Sequence, residues 1–251
     1  MKTKPIVLVK QVVSISMIKD ALCTCYENIS FSTFPYIKYK ENSSVKTLEK
    51  YNSGNCIALS TFLKRYLKTN YRVKSYIVPA SVPSIFQVDG TPFLCHVALL
   101  IPITTTTYYI LDPAFYFLEP IIAKDFDLHT IDSMNIHKNQ HESIYYKRMN
   151  NSVRCYFTPQ DPWFYYNYEV LDPDESIGCH FIRQKPEPFL CKTIVLSNGE
   201  VYKKYHLKEA NNILTVIKDN IEVYNGPNTD LPSHLKRELQ IYLYKYFKSA
   251  L

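Results

Sequence analysis

Glycine occurs only five times in this chain of 251 residues, and tryptophan once. Long apolar runs are missing altogether. The longest, Val97 to Ile103 with Pro102 counted in, is far short of the roughly 20 residues that a spanning helix needs, so no membrane association is expected. The apolar run after Lys4 stops at Lys10, too short for the central region of a secretory signal. Without such a signal the seven cysteines, an odd number, do not read as a disulfide framework, and the expected compartment is the cytoplasm. Asn28-Ile29-Ser30 and Asn42-Ser43-Ser44 then read as chance sequons. No Cys-x-x-Cys pair is present, and adjacent residues such as Cys95-His96 and Cys179-His180 point to opposite faces of a strand, so no metal site is expected. Basic residues outnumber acidic ones by a net charge of +6, yet they are scattered. With no Arg/Lys stripe, stacking-aromatic signature or zinc-finger spacing, nucleic acid is not the expected partner. A mildly basic surface around a phosphate-bearing ligand remains compatible.

What is present suits a soluble globular protein large enough to bury a sizeable core: 46% apolar and 21% charged residues. From Gln11 to Asn28, Val12, Ile15, Ile18, Leu22 and Cys25 recur at helical spacing. Phe31 to Ser44 reads as loop and Val45 to Lys50 as a short helix. The segment "YNSGNCIALSTFLKRYL", residues 51 to 67, predicts a stronger helix capped by Ser53 or Asn55, with Cys56, Leu59, Leu63 and Leu67 on one face. After Asn70 the pattern turns to strands: Tyr71 to Pro79, Cys95 to Ile103, Tyr108 to Leu111 and Phe115 to Ile122, with a turn at Asp89-Gly90. Lys124 to Lys147, with His129, His137 and His141, is polar and reads as a solvated excursion. Strands are expected again at Val153 to Phe157, Phe164 to Leu171, Leu190 to Leu196 and Glu200 to His206. The last two flank a type I′ turn at Ser197-Asn198-Gly199, and an amphipathic helix follows over Asp230 to Lys248. The aromatic stretch "PWFYYNYEV" reads as core or lid packing. Helices, then strands, then a helix argue for an α+β fold.

One of the few glycines, Gly54, stands just ahead of Cys56 at the predicted helix start. Cys56 can be a small core residue. It can also be a nucleophile, because unsatisfied first-turn N–H groups and the helix dipole favour thiolate and can stabilise an oxyanion. His96 and Asp112 flank an apparent hairpin. A three-residue loop centred on Thr105 makes them diagonal neighbours on one face, roughly 7 Å apart, and a loop centred on Thr104 sets them directly opposite. If all four threonines form the loop, a plain ladder puts them on opposite faces unless a bulge intervenes. An imidazole held by a carboxylate is what an activated thiol requires.

Gly54-Asn55-Cys56 opening a helix, then His96-Val-Ala-Leu-Leu, then Leu-Asp112-Pro-Ala-Phe115, resembles the transglutaminase-like cysteine enzymes and, more closely in spacing, the arylamine N-acetyltransferases. Glu119-Pro120-Ile121 fits as well. The resemblance implies Cys56 as nucleophile, His96 as base then acid, Asp112 as its orienter, and Phe115 as a substrate-binding aromatic of the pocket. It also implies a helical region over 1–70, an antiparallel β-rich core over 71–150 and a C-terminal β plus helix lid region over 151–251. The implied reaction is ping-pong transfer from acyl-CoA, acetyl-CoA in particular, to a small-molecule amine, with no permanently bound cofactor. The alternatives are a transglutaminase-like or peptidase-like enzyme acting on protein amides, or an inactive binding protein on the same scaffold. Several positions depart from that family. Asn52, Ser53 and Asn55 stand in its Arg-Gly-Gly region, Ala58 and Ser60 where it has Glu and Asn, and Ala114 and Tyr116 at its two glycines.

Overall fold

The computed structural model describes residues 12–41, 43–80, 96–104, 107–124, 128–137, 140–147, 152–155, 164–167 and 187–248. The first helix, α1 (Ile15–Asn28), begins later than expected, because Ser14 caps it by accepting from the Met17 N–H at 3.2 Å. Val12 therefore stays outside the helix and is largely exposed. The expected loop after it holds a short strand, β1 (Ser30–Ser32), and a single helical turn, α2 (Phe34–Ile37). Pro35 fits that turn because a first-turn residue has no intrahelical N–H bond to lose. Next come α3 (Ser44–Tyr51), β2 (Ser53–Gly54) and α4 (Cys56–Tyr71).

Strands β3 (Tyr76–Ala80), β4 (His96–Pro102), β5 (Thr107–Leu111) and β6 (Ile121–Lys124) follow. The expected strand over Phe115 to Ile122 is broken: Asp112 opens a 3-10 turn over Pro113–Phe115, and only Ile121 onward is extended. The polar stretch expected as an excursion is instead a long hairpin, β7 (Leu128–His137) and β8 (Gln140–Lys147). Leu128, Ile131, Met134 and Ile136 do not alternate regularly with polar residues, so the sequence carries no period of two that would mark a strand. Among the described residues the antiparallel order is β6-β5-β4-β3-β8-β7. All seven residues of β4 are buried, which explains an apolar run without alternation.

A separate pair joins β9 (Ser152–Cys155) and β10 (Phe164–Asn167). The Asp89-Gly90 turn and most of "PWFYYNYEV" lie outside the described residues. The chain closes with β11 (Phe189–Val195), β12 (Val201–Ala210), β13 (Ile213–Lys218), β14 (Ile221–Pro227) and α5 (Ser233–Lys248). The second sheet runs β14-β13-β12-β11-β1-β2, so late strands are built onto the pair that precedes α4. The turn at Ser197-Asn198-Gly199 is not type I′. Only Gly199 has positive φ (83°), so the loop has three residues and ends in a left-handed glycine. The two-residue turns with positive φ at both positions are Asn211-Asn212 and Asp219-Asn220, where short polar side chains tolerate the left-handed region.

Two cores result. One joins α1 and α4 to β3, β4 and β5, through Ile18, Leu22, Leu63, Leu67, Leu99 and Ile110. The other packs Leu235, Leu239 and Leu243 of α5 on Tyr205, Leu207, Leu214 and Val216. The architecture is α+β. Among the described residues no helix is long and apolar enough to cross a membrane, and no three His, Cys, Asp or Glu side chains are grouped as metal ligands.

Candidate active site

Cys56 is the first residue of α4 and is 5% exposed. Of the two caps expected, Asn55 is the one used, and Ser53 lies in β2. The Asn55 carboxamide oxygen accepts from the N–H groups of Ile57 (3.1 Å) and Ala58 (3.3 Å). The first turn is therefore less open to an anion than the sequence suggests, and the Cys56 N–H is the donor that the cap leaves unengaged. Gly54 is required by proximity. A Cβ there would lie 2.4 Å from the Ala58 Cβ, 2.7 Å from Thr47 Oγ1 and 2.9 Å from Tyr36 Oη, closer than any side chain tolerates.

His96 opens β4, and Asp112 directly follows β5. In the hairpin Leu99 pairs with Leu111 and Leu100 with Ile110. This is the register with the loop centred on Thr105, so His96 and Asp112 are diagonal neighbours. Side-chain reach closes the diagonal: His96 Nε2 lies 3.0 and 2.9 Å from Asp112 Oδ1 and Oδ2. With Nε2 committed to the carboxylate, Nδ1 is the ring nitrogen left to face Cys56, whose nearness also favours the imidazolium. Asp112 Oδ1 also accepts from the Ala114 N–H at 3.3 Å, so the 3-10 turn after Pro113 holds the carboxylate still. Both side chains are buried, His96 at 4% and Asp112 at 0% exposure. Burial alone works strongly against an imidazolium. The Asp112 carboxylate, followed by Cys56, outweighs it and holds His96 well above the ordinary imidazole value.

Phe115 ends the 3-10 turn and sets its ring edge-on to His96, with centroids 5.1 Å apart. Tyr116 then takes a left-handed conformation (φ 61°), strained for a residue with a side chain. A glycine at this position would enter that region freely. The strain is held by packing. The Tyr116 ring meets Tyr26 edge-on at 5.7 Å, its hydroxyl lies near Cys191, and the Tyr26 hydroxyl donates to the Phe117 carbonyl at 2.5 Å. Tyr26 in turn lies in the last turn of α1, whose closing carbonyls on Tyr26 and Glu27 accept from the buried Lys192 ammonium at 2.9 and 2.5 Å.

The structure thus brings Cys56, His96, Asp112 and Phe115 to one place. It adds residues that the sequence did not single out: Tyr36, Ser44, Tyr26 and Lys192. None belongs to a recognisable spacing, since each comes from an element other than those that carry Cys56, His96 and Asp112.

No protein-family model matches the sequence, and no curated protein is similar to it in sequence. Solved structures are similar in fold. An arylamine N-acetyltransferase from Salmonella typhimurium superposes with a TM-score of 0.57 at 14% identity, covering 92% of this chain and 85% of that one. One from Bacillus cereus, described as having a Cys-His-Glu catalytic triad, gives 0.51 at 15% identity over 92% and 91%. One from Mycobacterium marinum, in complex with CoA, gives 0.53 at 11% identity over 95% and 89%. At such identities the likeness is one of architecture, and it extends over nearly the whole chain: this protein has the fold of the arylamine N-acetyltransferases.

Proposed function

We propose that this protein is a thiol-dependent acyltransferase of the arylamine N-acetyltransferase kind, with Cys56 as nucleophile, His96 as base and acid, and Asp112 as the orienting carboxylate. The observation that carries this reading is the buried pair in which both Asp112 oxygens hold His96 Nε2, with Cys56, at its capped helix start, near enough to favour the imidazolium of the same ring. A CoA-bound protein of the same fold supports acyl-CoA as the donor.

In the first half-reaction the Cys56 thiolate attacks the thioester carbonyl of acyl-CoA. The Cys56 N–H, which the cap leaves unengaged, faces the developing oxyanion. The carbon–sulfur bond to CoA breaks, and His96 gives its Nδ1 proton to the departing thiolate. Cys56 then carries the acyl group as a thioester. In the second half-reaction a small-molecule amine attacks that carbonyl, His96 Nδ1 takes the amine proton, and the Cys56 thiolate leaves. Asp112 keeps Nε2–H in one tautomer throughout and offsets the imidazolium charge. Phe115 lines the acceptor side of the ring. A CoA-dependent reaction of this kind suits the cytoplasm.

The test is the intact mass of the purified protein after brief exposure to acetyl-CoA and longer acyl-CoA donors, beside a Cys56→Ala variant. One acyl adduct, absent from the variant, is expected. If no adduct forms although Cys56 alkylates rapidly at neutral pH, the donor is instead an amide, as in transglutaminase-like or peptidase-like enzymes. If there is neither adduct nor rapid alkylation, the protein is an inactive scaffold that binds a partner.

A further inference from the structure

Tyr36 lies on the single-turn helix α2, and its hydroxyl reaches the start of α4. It is 6% exposed, with Ser44 at 2% and Asn55 at 3%. The hydrogen bonds among the three close on themselves. The Asn55 N–H donates to Tyr36 Oη (3.1 Å), the Tyr36 hydroxyl donates to Ser44 Oγ (2.9 Å), and the Ser44 hydroxyl donates to Asn55 Oδ1 (2.9 Å). Thr47 Oγ1 sits 3.1 Å from Tyr36 Oη and uses its own proton on the Ser44 carbonyl at 3.0 Å. All donors point the same way round, an arrangement in which each bond polarises the next.

We propose that Tyr36 is a positioning residue for Cys56, acting through Asn55 to set the direction in which α4 presents its thiol to His96. The inference rests on the reading of Cys56 as the nucleophile.

The ring grips Asn55 at both ends, by its backbone N–H and by its side-chain oxygen. That oxygen also accepts from Ile57 and Ala58, the two residues after Cys56. Asn55 must be extended (φ −88°, ψ −168°) while its neighbour is helical, so its two grips decide where the helix axis begins. A small rotation of Asn55 moves Cys56 off the imidazole. Proximity enforces the contact from the other side, because Tyr36 Oη occupies the space that a side chain on Gly54 would need. Burial pushes the Tyr36 hydroxyl up to about 12 despite the hydrogen bonds that favour its ionised form, and nearby Cys56 pushes in the same direction, so Tyr36 remains a donor at every working pH. The family-type residues before and after the cysteine are absent here. This hydroxyl ring, drawn from α2 and α3, supports the nucleophile in their place.

The experiment follows Cys56 alkylation by iodoacetamide, by intact mass between pH 5 and 10, in the full-length protein and in Tyr36→Phe, Ser44→Ala and Leu67→Ala variants, each with its Tm. Tyr36→Phe keeps the ring volume and removes one hydroxyl. Both it and Ser44→Ala are expected to raise the pH midpoint and slow alkylation at pH 7 roughly tenfold, the equivalent of about 1.4 kcal/mol. Acylation by acetyl-CoA should slow likewise with little change in half-saturating donor concentration. Leu67→Ala, in the last turn of the same helix, should lower Tm and leave the midpoint where it was. Ser44→Ala carries the test if Tyr36→Phe does not fold. An unshifted midpoint in a folded Tyr36→Phe or Ser44→Ala variant, with wild-type Cys56 reactive, overturns this inference alone. An equal shift in Leu67→Ala does the same. A wild-type Cys56 no more reactive than the half-buried Cys23 overturns the nucleophile reading and this inference with it.

Discussion

Replacing Asp112 by Asn tests whether His96 and Cys56 behave as a charged pair, and the structure sets the size of the effect. Asp112 makes two contacts of 3.0 and 2.9 Å to His96 Nε2, and both side chains are buried. Burial disfavours the imidazolium more than any other single influence, and the carboxylate charge is the first of those that reverse it. An asparagine keeps the shape and an oxygen for the Ala114 N–H, so the 3-10 turn survives. The negative charge does not. With desolvation opposed by Cys56 alone, His96 becomes neutral at pH 7 and Cys56 loses its cationic partner. Breaking a buried, hydrogen-bonded charge pair costs about 3 to 5 kcal/mol, which corresponds to roughly two to four orders of magnitude in reactivity. Alkylation of Cys56 at pH 7 should therefore fall by about that factor in Asp112→Asn, with the rate recovering only at higher pH. Following iodoacetamide labelling by mass from pH 5 to 10, beside a Cys56→Ala variant, measures this directly. A folded Asp112→Asn protein whose Cys56 alkylates at the wild-type rate and midpoint would refute the argument.

Gly54→Ala should destabilise the protein by about 2 kcal/mol or more, read as a lowered denaturation midpoint, because the new Cβ meets Ala58 Cβ at 2.4 Å and Tyr36 Oη at 2.9 Å. Leu63→Ala, at a fully buried position on α4, should cost about 2 to 5 kcal/mol in urea unfolding. Lys192 gives a pH effect of definite sign. Burial lowers its ammonium from the ordinary 10.5 to about 8. The unfolded state therefore binds more protons between those values, and stability attributable to Lys192 rises with pH across that window and is lost again as pH falls through about 8. The difference in unfolding free energy between wild type and Lys192→Met should shift in favour of wild type by up to about 3 kcal/mol from pH 7.5 to pH 10.5. A difference independent of pH would contradict it. Phe115→Ala should weaken binding of aromatic amines more than of small aliphatic ones in steady-state assays, since the ring lies edge-on at 5.1 Å from His96.

Much of the site could be read in one dimension because its members belong to local signals. Asn55 precedes an apolar helical period, so a cap and a helix start were expected there. His96 and Asp112 bracket two apolar strands, so a shared face was among the possibilities. The hairpin β7–β8 was not legible because its residues are largely polar and its apolar ones do not alternate regularly. The turns at Asn211-Asn212 and Asp219-Asn220 contain no glycine, so no residue there marks the left-handed positions that their short polar side chains take up.

The sequence by itself determined which residues have the chemistry, their order along the chain, and the helix and strands that carry them, because capping, periodicity and β-branching act over a few residues. It left three registers open for His96 and Asp112. Only the tertiary structure selected the one centred on Thr105, through the fully buried β4 against its neighbours. Only the tertiary structure brought Tyr36 and Ser44 to Asn55, 19 and 11 residues away along the chain, and Lys192 to the end of α1. Those contacts join elements distant in sequence, and their energies exist only once the intervening chain is ordered and water is excluded.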